Sequence, residues 1–512
     1  GFFLEPHLPE GLDGEESALQ SKRILHACDY ESSAKFQDQT VAIVGSSFSG
    51  MEIAADVCST AKRVVHVVSS VPWVIPRYVP CTLDDDSRNS IILPVDLALY
   101  RRTKDAPEIP ESLLMSPEMC RKRHESLHSM VGKRQEQSPL GIPRNWDEPP
   151  MVAISDYYLD LLIQGDIEVV HGRLQGLSQD GATWNVKSPT GQSISLDGID
   201  TLICATGYKT NLDRILHPDI AQTLEYDPKD LFSPMSLCWD TMHPKLPNLF
   251  FCGMYRGPYM GVMEQQGRLA AGVLSGRIQL EESVMVGALE ESKQIRKQKS
   301  RPQFPHFDYV GFMDTLNELQ GTDFPTANTK KGDMVGPAFY QSTDEQLVEQ
   351  ELKELEKQLE WGEDGSRIPS IVLSAIIGEW NFDRRIVHFS DNREEHVYGT
   401  VKYSRPILDY VLYREDGLYE LTPTKTLNVF REYEYQVAGD CLEIYFVEQE
   451  ERAHLFLSLK FSMKEGDFWV ATSDHLCIKD LYKARFELSL DGLTATHLKI
   501  TYRVKGPTKD YE

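Results

Sequence analysis

The sequence predicts an α/β fold up to about residue 340, followed by an antiparallel all-β barrel domain. Two observations support this prediction. Short, continuous apolar runs such as Val41–Val44 alternate with helical stretches, which is typical of strands buried on both faces of a parallel sheet. From about residue 370, apolar residues follow a period of two, and Gly or Asp turns separate the runs at near-regular spacing. A chain of 512 residues has room for two or three domains.

Composition and charge exclude several classes of protein. The formal net charge of -25 argues against a nucleic-acid partner, because such proteins present a basic surface to phosphates. No apolar run approaches the ~20 residues of a membrane-spanning helix, so we expect no transmembrane anchor. The 9 cysteines are scattered and form no CxxC pair, which excludes a zinc ribbon. We therefore expect reduced thiols and a cytoplasmic location.

A glycine-rich turn follows the first buried strand. Val41–Val44 leads into Gly45-Ser46-Ser47-Phe48-Ser49-Gly50, then into the helical stretch Met51–Thr60 and a second apolar run, Val64–Val68. This order is a βαβ unit, in which the first glycine permits a tight turn and the last lets the helix pack closely. The free N–H groups at the helix start favour a pyrophosphate. Ser47 replaces the middle glycine, and its hydroxyl can donate to phosphate. The alternative is a tight turn without a nucleotide.

The residues after the second strand indicate which dinucleotide is bound. A site for NAD usually carries Asp or Glu there to hold the ribose 2′-hydroxyl. This chain has Ser69 and Ser70 instead, with Arg77 a few residues later. Neutral and basic donors suit a 2′-phosphate, so the pattern favours NADPH. The alternative for Arg77 is a surface arginine with no ligand.

Further elements are predicted from their patterns. Residues 82–150 are predicted to form a helical insertion, and Asp180-Gly181 a hairpin turn. The charged helix Asp344–Trp361 has Thr343 as its N-cap. The other predicted elements are a helix at Val152–Leu162, strands at Ile167–Val170, Ile199–Ala205 and Leu249–Cys252, a helix at Gly261–Ile278 and a strand-sized apolar run at Ile371–Ile377.

Several motifs together resemble one enzyme family. Val41–Ala54 followed by Val64–Pro76 resembles the NADPH motif of flavin-containing monooxygenases. His26 and Tyr30 match the end of that family's identifying motif, whereas Gln20 and Lys22 replace its Phe and Gly. Further stretches that resemble the family are Cys204–Tyr208 (its ATGY strand end), Pro247–Gly253, Glu264–Arg268 and Arg301–Asp314.

The resemblance implies an FAD- and NADPH-dependent monooxygenase that uses O₂ to oxygenate a soft N or S centre in a small molecule. It adds cofactor-binding residues to those of the glycine turn: Ala205, Thr206, Gly207, Gly253 and Gln266. The family's N-terminal GxGxxG for FAD does not occur in this sequence, so we expect a preceding portion. The alternative is a non-catalytic NADPH-binding remnant. A flavin-linked disulfide reductase is a weaker candidate, because it needs a redox cysteine pair.

Residues 376–511 resemble an uncharacterised bacterial family with a lipocalin-like barrel, which implies a hydrophobic ligand. His475, Cys477 and Asp480 are metal-ligand types, but a strand connection is the favoured interpretation. Arg414 and Glu415 are interpreted as a structural ion pair.

These interpretations divide the chain into five segments. We expect a linker with the end of a first flavin-domain segment (1–38), a Rossmann-like NADPH domain (39–210), the later part of the flavin domain (211–340), a charged helical linker (341–369) and the lipocalin-like β-barrel (370–512).

Overall fold

The computed structural model of the protein describes residues 5–9, 12, 24–82, 90–102, 115–178, 183–254, 260–298, 300–303, 308–321, 329–340, 345–422, 425–507 and 509–512. The α/β part, up to residue 340, has a parallel five-stranded sheet at its centre. The described strands of the α/β part as a whole are β1 (Glu5–Pro6), β2 (Ile24–His26), β3 (Thr40–Val44), β4 (Arg63–Val68), β5 (Trp73–Ile75), β6 (Tyr78–Thr82), β7 (Ser90–Pro94), β8 (Val152–Ile154), β9 (Ile167–His171), β10 (Arg173–Leu177), β11 (Trp184–Lys187), β12 (Ser193–Leu196), β13 (Thr201–Cys204) and β14 (Tyr208–Lys209). The central sheet has the order β2-β13-β3-β4-β9.

Helices of the α/β part pack against this sheet and beside it. They are α1 (Phe48–Val57), α2 (Val95–Leu99), α3 (Pro117–Glu136), α4 (Tyr158–Gln164), α5 (Pro218–Thr223), α6 (Met260–Leu274), α7 (Glu282–Lys297) and α8 (Tyr309–Glu318). Within the described ranges, no helix combines the length and the apolar character needed to cross a bilayer.

Both faces of the sheet are buried, which confirms the prediction from its continuous apolar runs. Val41 and Ile43 pack with α1 and α4 on one face. Ala42 and Val44 point to the other face, where they share a core with Trp184. That second face is covered by the antiparallel sheet β10-β11-β12, so the predicted hairpin is present. Its predicted turn, Asp180-Gly181, lies outside the described residues.

Some predicted elements differ from the structure. Val152–Leu162 is not one helix, because Val152–Ile154 pairs with β5 as a strand and α4 begins only at Tyr158. The predicted insertion, 82–150, contains strand β7 as well as helices α2 and α3, and β7 pairs antiparallel with the preceding strand β6. No strand forms at Leu249–Cys252, where Phe250 makes only an isolated bridge to Met242. An apolar run of this length fits a strand or a buried loop equally well, and only a pairing partner decides between them.

The charged helix is confirmed as α9 (Glu345–Glu363). Its predicted N-cap, Thr343, lies outside the described residues. Three ion pairs or hydrogen bonds between residues three or four positions apart lie along its exposed surface, among them Lys353 with Glu349 at 2.7 Å. These pairs are typical of a solvated helix face.

The C-terminal part is an antiparallel barrel, as predicted. Each strand pairs with the next along the chain, and the ends close where His388 bridges to Tyr511. Its strands are β15 (Gly378–Val387), β16 (Glu394–Ile407), β17 (Tyr410–Thr422), β18 (Lys425–Ala438), β19 (Cys441–Glu448), β20 (Glu451–Glu465), β21 (Phe468–Cys477), β22 (Asp480–Asp491), β23 (Thr494–Lys505) and β24 (Asp510–Tyr511).

The apolar run at Ile371–Ile377 is a helix and not a strand. Helix α10 (Ile368–Ala375) carries buried Ile371, Val372 and Leu373, which share one core with the inward side chains of the barrel. The helix therefore fills one end of the barrel. A helix whose surroundings are apolar on most sides has no polar face, so its sequence lacks the helical periodicity that would have distinguished it from a strand.

Candidate dinucleotide site

The glycine loop lies at the carboxyl edge of the parallel sheet. The N–H of Gly45 donates to the carbonyl of Val67 on the neighbouring strand at 3.1 Å. Gly45 has a φ of +125°, and a Cβ atom there would lie 2.3 Å from the backbone oxygen of Ala205. The loop is thus wedged between the ends of β4 and β13, in a space and a conformation that only glycine can occupy.

Helix α1 begins at Phe48, three residues earlier than predicted, so the loop is shorter and the helix start lies closer to the sheet. Ser47 is its N-cap, with extended backbone and no capping hydrogen bond from its side chain. Its hydroxyl and the N–H groups of Ser49 and Gly50 are therefore available to an anion, at the positive end of the helix dipole. A Cβ atom on Gly50 would lie 2.0 Å from the Gly45 carbonyl oxygen, so this glycine allows the close helix–loop contact.

Two serines join the loop to the next strand. The hydroxyl of Ser46 lies 2.6 Å from that of Ser70, which follows β4. Ser69 and Ser70 therefore lie beside the glycine loop, as expected for residues at the adjacent carboxyl ends of parallel strands. This neighbourhood matches the place of the ribose next to a bound pyrophosphate.

The side chain of His66 holds the glycine loop through the Gly45 carbonyl. The sequence analysis did not select this residue. It is fully buried in β4; its Nε2 lies 2.7 Å from the Gly45 carbonyl oxygen and its Nδ1 lies 2.6 Å from the Tyr158 hydroxyl. Burial lowers the pKa of His66 to about 4, so the ring is neutral at pH 7. Nε2–H then donates to the carbonyl, and Nδ1 accepts from Tyr158. A histidine inside an apolar strand was the signal, since a buried polar group requires partners.

The segment Ala205-Thr206-Gly207 closes the other side of the loop. The Thr206 hydroxyl donates to the carbonyl of His7, and the Gly207 carbonyl accepts from the N–H of His7 at 2.9 Å. The Nε2 of His26 lies 2.8 Å from the same Gly207 carbonyl. His26 and Tyr30 therefore make structural contacts: His26 contacts the Gly207 carbonyl, and the ring of Tyr30 stacks on that of Phe36.

One cavity of about 2310 Å³ joins these parts. This exceeds the roughly 300–1,000 Å³ of a pocket for one drug-sized ligand, so the space suits a dinucleotide together with further ligands. Barrel residues, including Trp469 and Asp491, form part of its wall. The predicted site residues that line the cavity are Gly45, Ser46, Ser47, Phe48, Ser49, Ser69, Ser70, Ala205, Thr206 and Gly207.

Arg77 and Gln266 lie outside the cavity lining. The Arg77 guanidinium pairs with Asp156 at 2.5 Å, and this carboxylate raises the pKa of Arg77. Gln266 is buried, and its amide oxygen accepts from the N–H of Gly253 at 3.0 Å. Its amide nitrogen donates to the carbonyls of Trp239 and Asp240, at 3.4 and 3.3 Å. Gln266 and Gly253 therefore hold a loop of the α/β part together.

Arg173 is a basic cavity residue that the sequence analysis did not select. It lines the cavity as the first residue of β10, and the preceding Gly172, which follows β9, donates its N–H to the Val68 carbonyl at 2.9 Å. The side chain is exposed and has no ion-pair partner among the described residues. Arg173 is therefore a neighbour of Ser69, close in space although about a hundred residues away in sequence.

The polar residues singled out in the barrel have structural surroundings. Arg414 and Glu415 do not pair, because consecutive strand residues face opposite sides of the wall. Glu415 binds Arg384 inside the barrel at 2.5 Å, whereas Arg414 binds Glu432 on the outside at 2.6 Å.

Cys477 pairs with Asp480 across a strand connection, as predicted. The described residues contain no cluster of three His, Cys, Asp or Glu side chains suited to a metal, and all nine cysteines are free thiols.

Comparisons with known proteins agree with these features. The model of the flavin-binding monooxygenase-like family matches residues 1–327. A model of a family of unknown function, DUF6314, matches residues 376–512. Flavin-containing monooxygenase 5 of Rattus norvegicus is 25% identical over 327 residues, which cover 62% of this chain and 55% of that protein. The chain thus spans about half the length of such curated relatives.

Two more proteins extend the comparison. A probable indole-3-pyruvate monooxygenase, YUCCA9 of Arabidopsis thaliana, is 26% identical over 218 residues, or 42% of this chain and 45% of that protein. Among solved structures, ε-caprolactone-bound cyclohexanone monooxygenase matches at 12% identity with a TM-score of 0.41, covering 63% of this chain and 71% of that one.

Proposed function

Because this chain belongs to the flavin-binding monooxygenase-like family, we propose that it works as an FAD- and NADPH-dependent monooxygenase, in which the glycine loop binds the pyrophosphate of NADPH. The observation that carries the proposal is the loop itself. It places the Ser47 hydroxyl and the N–H groups of Ser49 and Gly50 at the start of α1, and Gly45 allows the tight turn that brings them to the edge of the sheet.

Different residues bind different parts of NADPH in this proposal. Ser47 and the first turn of α1 hold phosphate oxygens, while Ser69, Ser70 and Arg173 hold the ribose end. FAD would supply the redox chemistry at this site, coupling the oxidation of NADPH to the transfer of one oxygen atom of O₂ to a soft N or S centre of a small molecule, while the other oxygen atom leaves as water. Val79, Ile92 and other apolar side chains of the cavity wall exclude water from the reacting atoms.

The decisive experiment uses the purified protein, expressed with any residues that precede Gly1 in its gene. We expect a yellow protein with a flavin absorption spectrum that oxidises NADPH in air and consumes O₂. A colourless protein that binds NADPH but stays colourless when FAD is added would favour the non-catalytic remnant. A protein that binds neither would contradict the proposal.

Arg173 is proposed as the residue that selects NADPH over NADH. Replacing it with alanine removes a charged partner of the 2′-phosphate, so we expect NADPH to bind about 10- to 100-fold more weakly, the scale of a hydrogen bond to a charged group. NADH affinity should not change. Calorimetric titration with both cofactors measures the difference.

Arg77→Ala is the matched control for this prediction. Because the guanidinium of Arg77 is held by Asp156 and lies outside the cavity lining, its loss should leave the preference for NADPH intact. If Arg77→Ala removes the preference and Arg173→Ala keeps it, the original expectation for Arg77 is correct and the role of Arg173 is disproved.

A hydrophobic ligand for the barrel stays a prediction, as does a cytoplasmic location. Helix α10 fills one end of the barrel, so we propose that a ligand would enter at the other end. Aromatic side chains gather in that half: Tyr433 and Tyr502 stack on Phe456 at 5.7 and 5.9 Å, and His475 meets the same ring edge-on at 5.2 Å.

A further inference from the structure

One of the contacts that join the barrel to the α/β part is a buried carboxylate, that of Asp160 on helix α4. Its Oδ2 accepts from the Nε of Arg405, a barrel residue, at 3.0 Å and from the hydroxyl of Ser374 on α10 at 2.9 Å. Its Oδ1 accepts from Arg134 of helix α3. The side chains of Asp160, Arg405 and Arg134 are 1%, 2% and 7% exposed. Since a buried charge depends on all of its partners, this joint holds α4 and the barrel in one arrangement.

A second contact holds the far end of the same helix. The side-chain oxygen of Gln164 accepts from the backbone N–H of Arg405 at 2.5 Å, and its amide nitrogen donates to the Arg405 carbonyl at 3.3 Å. Strand β16 shifts its register against β17 between Ser404 and Ile407. Such a bulge releases backbone groups from the sheet, and here they bind α4 instead.

The N-terminal end of α4 reaches the glycine loop. Its Tyr158 hydroxyl binds His66, and His66 binds the Gly45 carbonyl, at 2.6 and 2.7 Å. The Gly45 carbonyl and the Ser46 N–H belong to one planar trans peptide group, so fixing the first also fixes the direction of the second. Ser46 lines the cavity, and its N–H has no hydrogen-bond partner among the described residues.

We propose that Arg405, supplied by the fused barrel, is a positioning residue for the dinucleotide site. It holds α4 through Asp160 and Gln164, and α4 holds the peptide group of the glycine loop through Tyr158 and His66. The barrel is therefore a part of the NADPH site and not an independent module attached to it. This inference rests on the proposed binding of NADPH by the loop.

A double-mutant cycle tests the connection. Arg405→Met removes the guanidinium and keeps an apolar side chain, while Tyr158→Phe removes only the hydroxyl that binds His66. For each single variant we expect the Kd for NADPH, measured by calorimetry, to rise about tenfold, the scale typical of residues that orient a binding group. The Kd of the double variant should be only slightly higher than that of the single variant that binds NADPH more weakly, because both substitutions interrupt the same chain of contacts.

Arg384→Met is the matched control. Arg384 forms an equally direct ion pair with buried Glu415, but its hydrogen bonds stay inside the barrel. We expect it to lower the thermal unfolding temperature as Arg405→Met does, without changing the Kd for NADPH. The inference is overturned if Arg405→Met binds NADPH like the unmodified protein, if Arg384→Met weakens binding equally, or if the effects of the cycle simply add. If the unmodified protein binds no NADPH, the proposed function fails instead.

Discussion

Replacing Gly45 with valine is expected to weaken NADPH binding severely. A side chain at this position would meet the backbone oxygen of Ala205, only 2.3 Å from the Cβ atom, in a conformation with φ of +125° that valine rarely adopts. Ala205 follows the central strand β13, so it cannot move aside and the loop must shift instead. We expect the Kd to rise about 100-fold or more, which corresponds to about 2.7 kcal/mol. Calorimetric titration of folded protein with NADPH measures this change.

Gly191→Val is the control for backbone strain alone. Gly191 lies in the turn between β11 and β12 with a φ of +86°, and nothing lies within 4 Å of its Cβ position. The two variants therefore share the unfavourable backbone conformation but only Gly45→Val creates a clash. Equal NADPH affinity in both variants would show that the glycine loop does not bind the dinucleotide.

Replacing His66 with leucine is expected to destabilise the protein and to flatten its stability profile in mild acid. The change leaves the buried Gly45 carbonyl without a donor, at a cost of about 1–3 kcal/mol near pH 7. In the unmodified protein the pKa of His66 lies at about 4, below its usual value of 6.5. Between these values the unfolded chain binds a proton that the native state does not, so stability falls as the pH drops from about 6.5 to about 4.

The free energy of unfolding, measured by denaturant titration at several pH values, tests this prediction. The shift of about 2.5 pKa units corresponds to roughly 3 kcal/mol, and His66→Leu should lose that part of the pH dependence. His217→Leu, at a residue whose side chain is 68% exposed, serves as the control and should keep the full slope. An unchanged slope in His66→Leu would mean that the pKa of His66 in the native state is not lowered.

Local patterns were sufficient for the elements that bear the loop. The run Val41–Val44, the glycines at 45 and 50 and the run Val64–Val68 predicted a strand, a turn, a helix and a strand, and the structure has all four. Each depends on residues near in sequence: apolar side chains that must be buried, and glycines that permit one backbone conformation. The same logic failed for Ile371–Ile377, since the length of an apolar run does not reveal what surrounds it.

The residues of the site were harder to choose for the same reason. Ser69, Ser70 and Thr206 were selected by their place after a strand, and they do line the cavity. Arg77 has an equally suitable place in the sequence, but its guanidinium pairs with Asp156. Asp156 follows a different strand, so this pairing could not be read from the sequence near Arg77. Arg173 is the reverse case, because parallel pairing of β4 with β9 alone brings it next to Ser69.

The residues alone predicted an α/β part with a glycine-rich turn between its first strand and helix, and a barrel behind it, because hydrophobic period and glycine placement act over a few residues. The orientation of the loop carbonyl by His66 and Tyr158, and the attachment of α4 to Arg405, depended on the tertiary structure. Hydrogen bonds and ion pairs between side chains distant in sequence leave no periodic trace along the chain. They arise only when packing brings the partners within about 3 Å of each other.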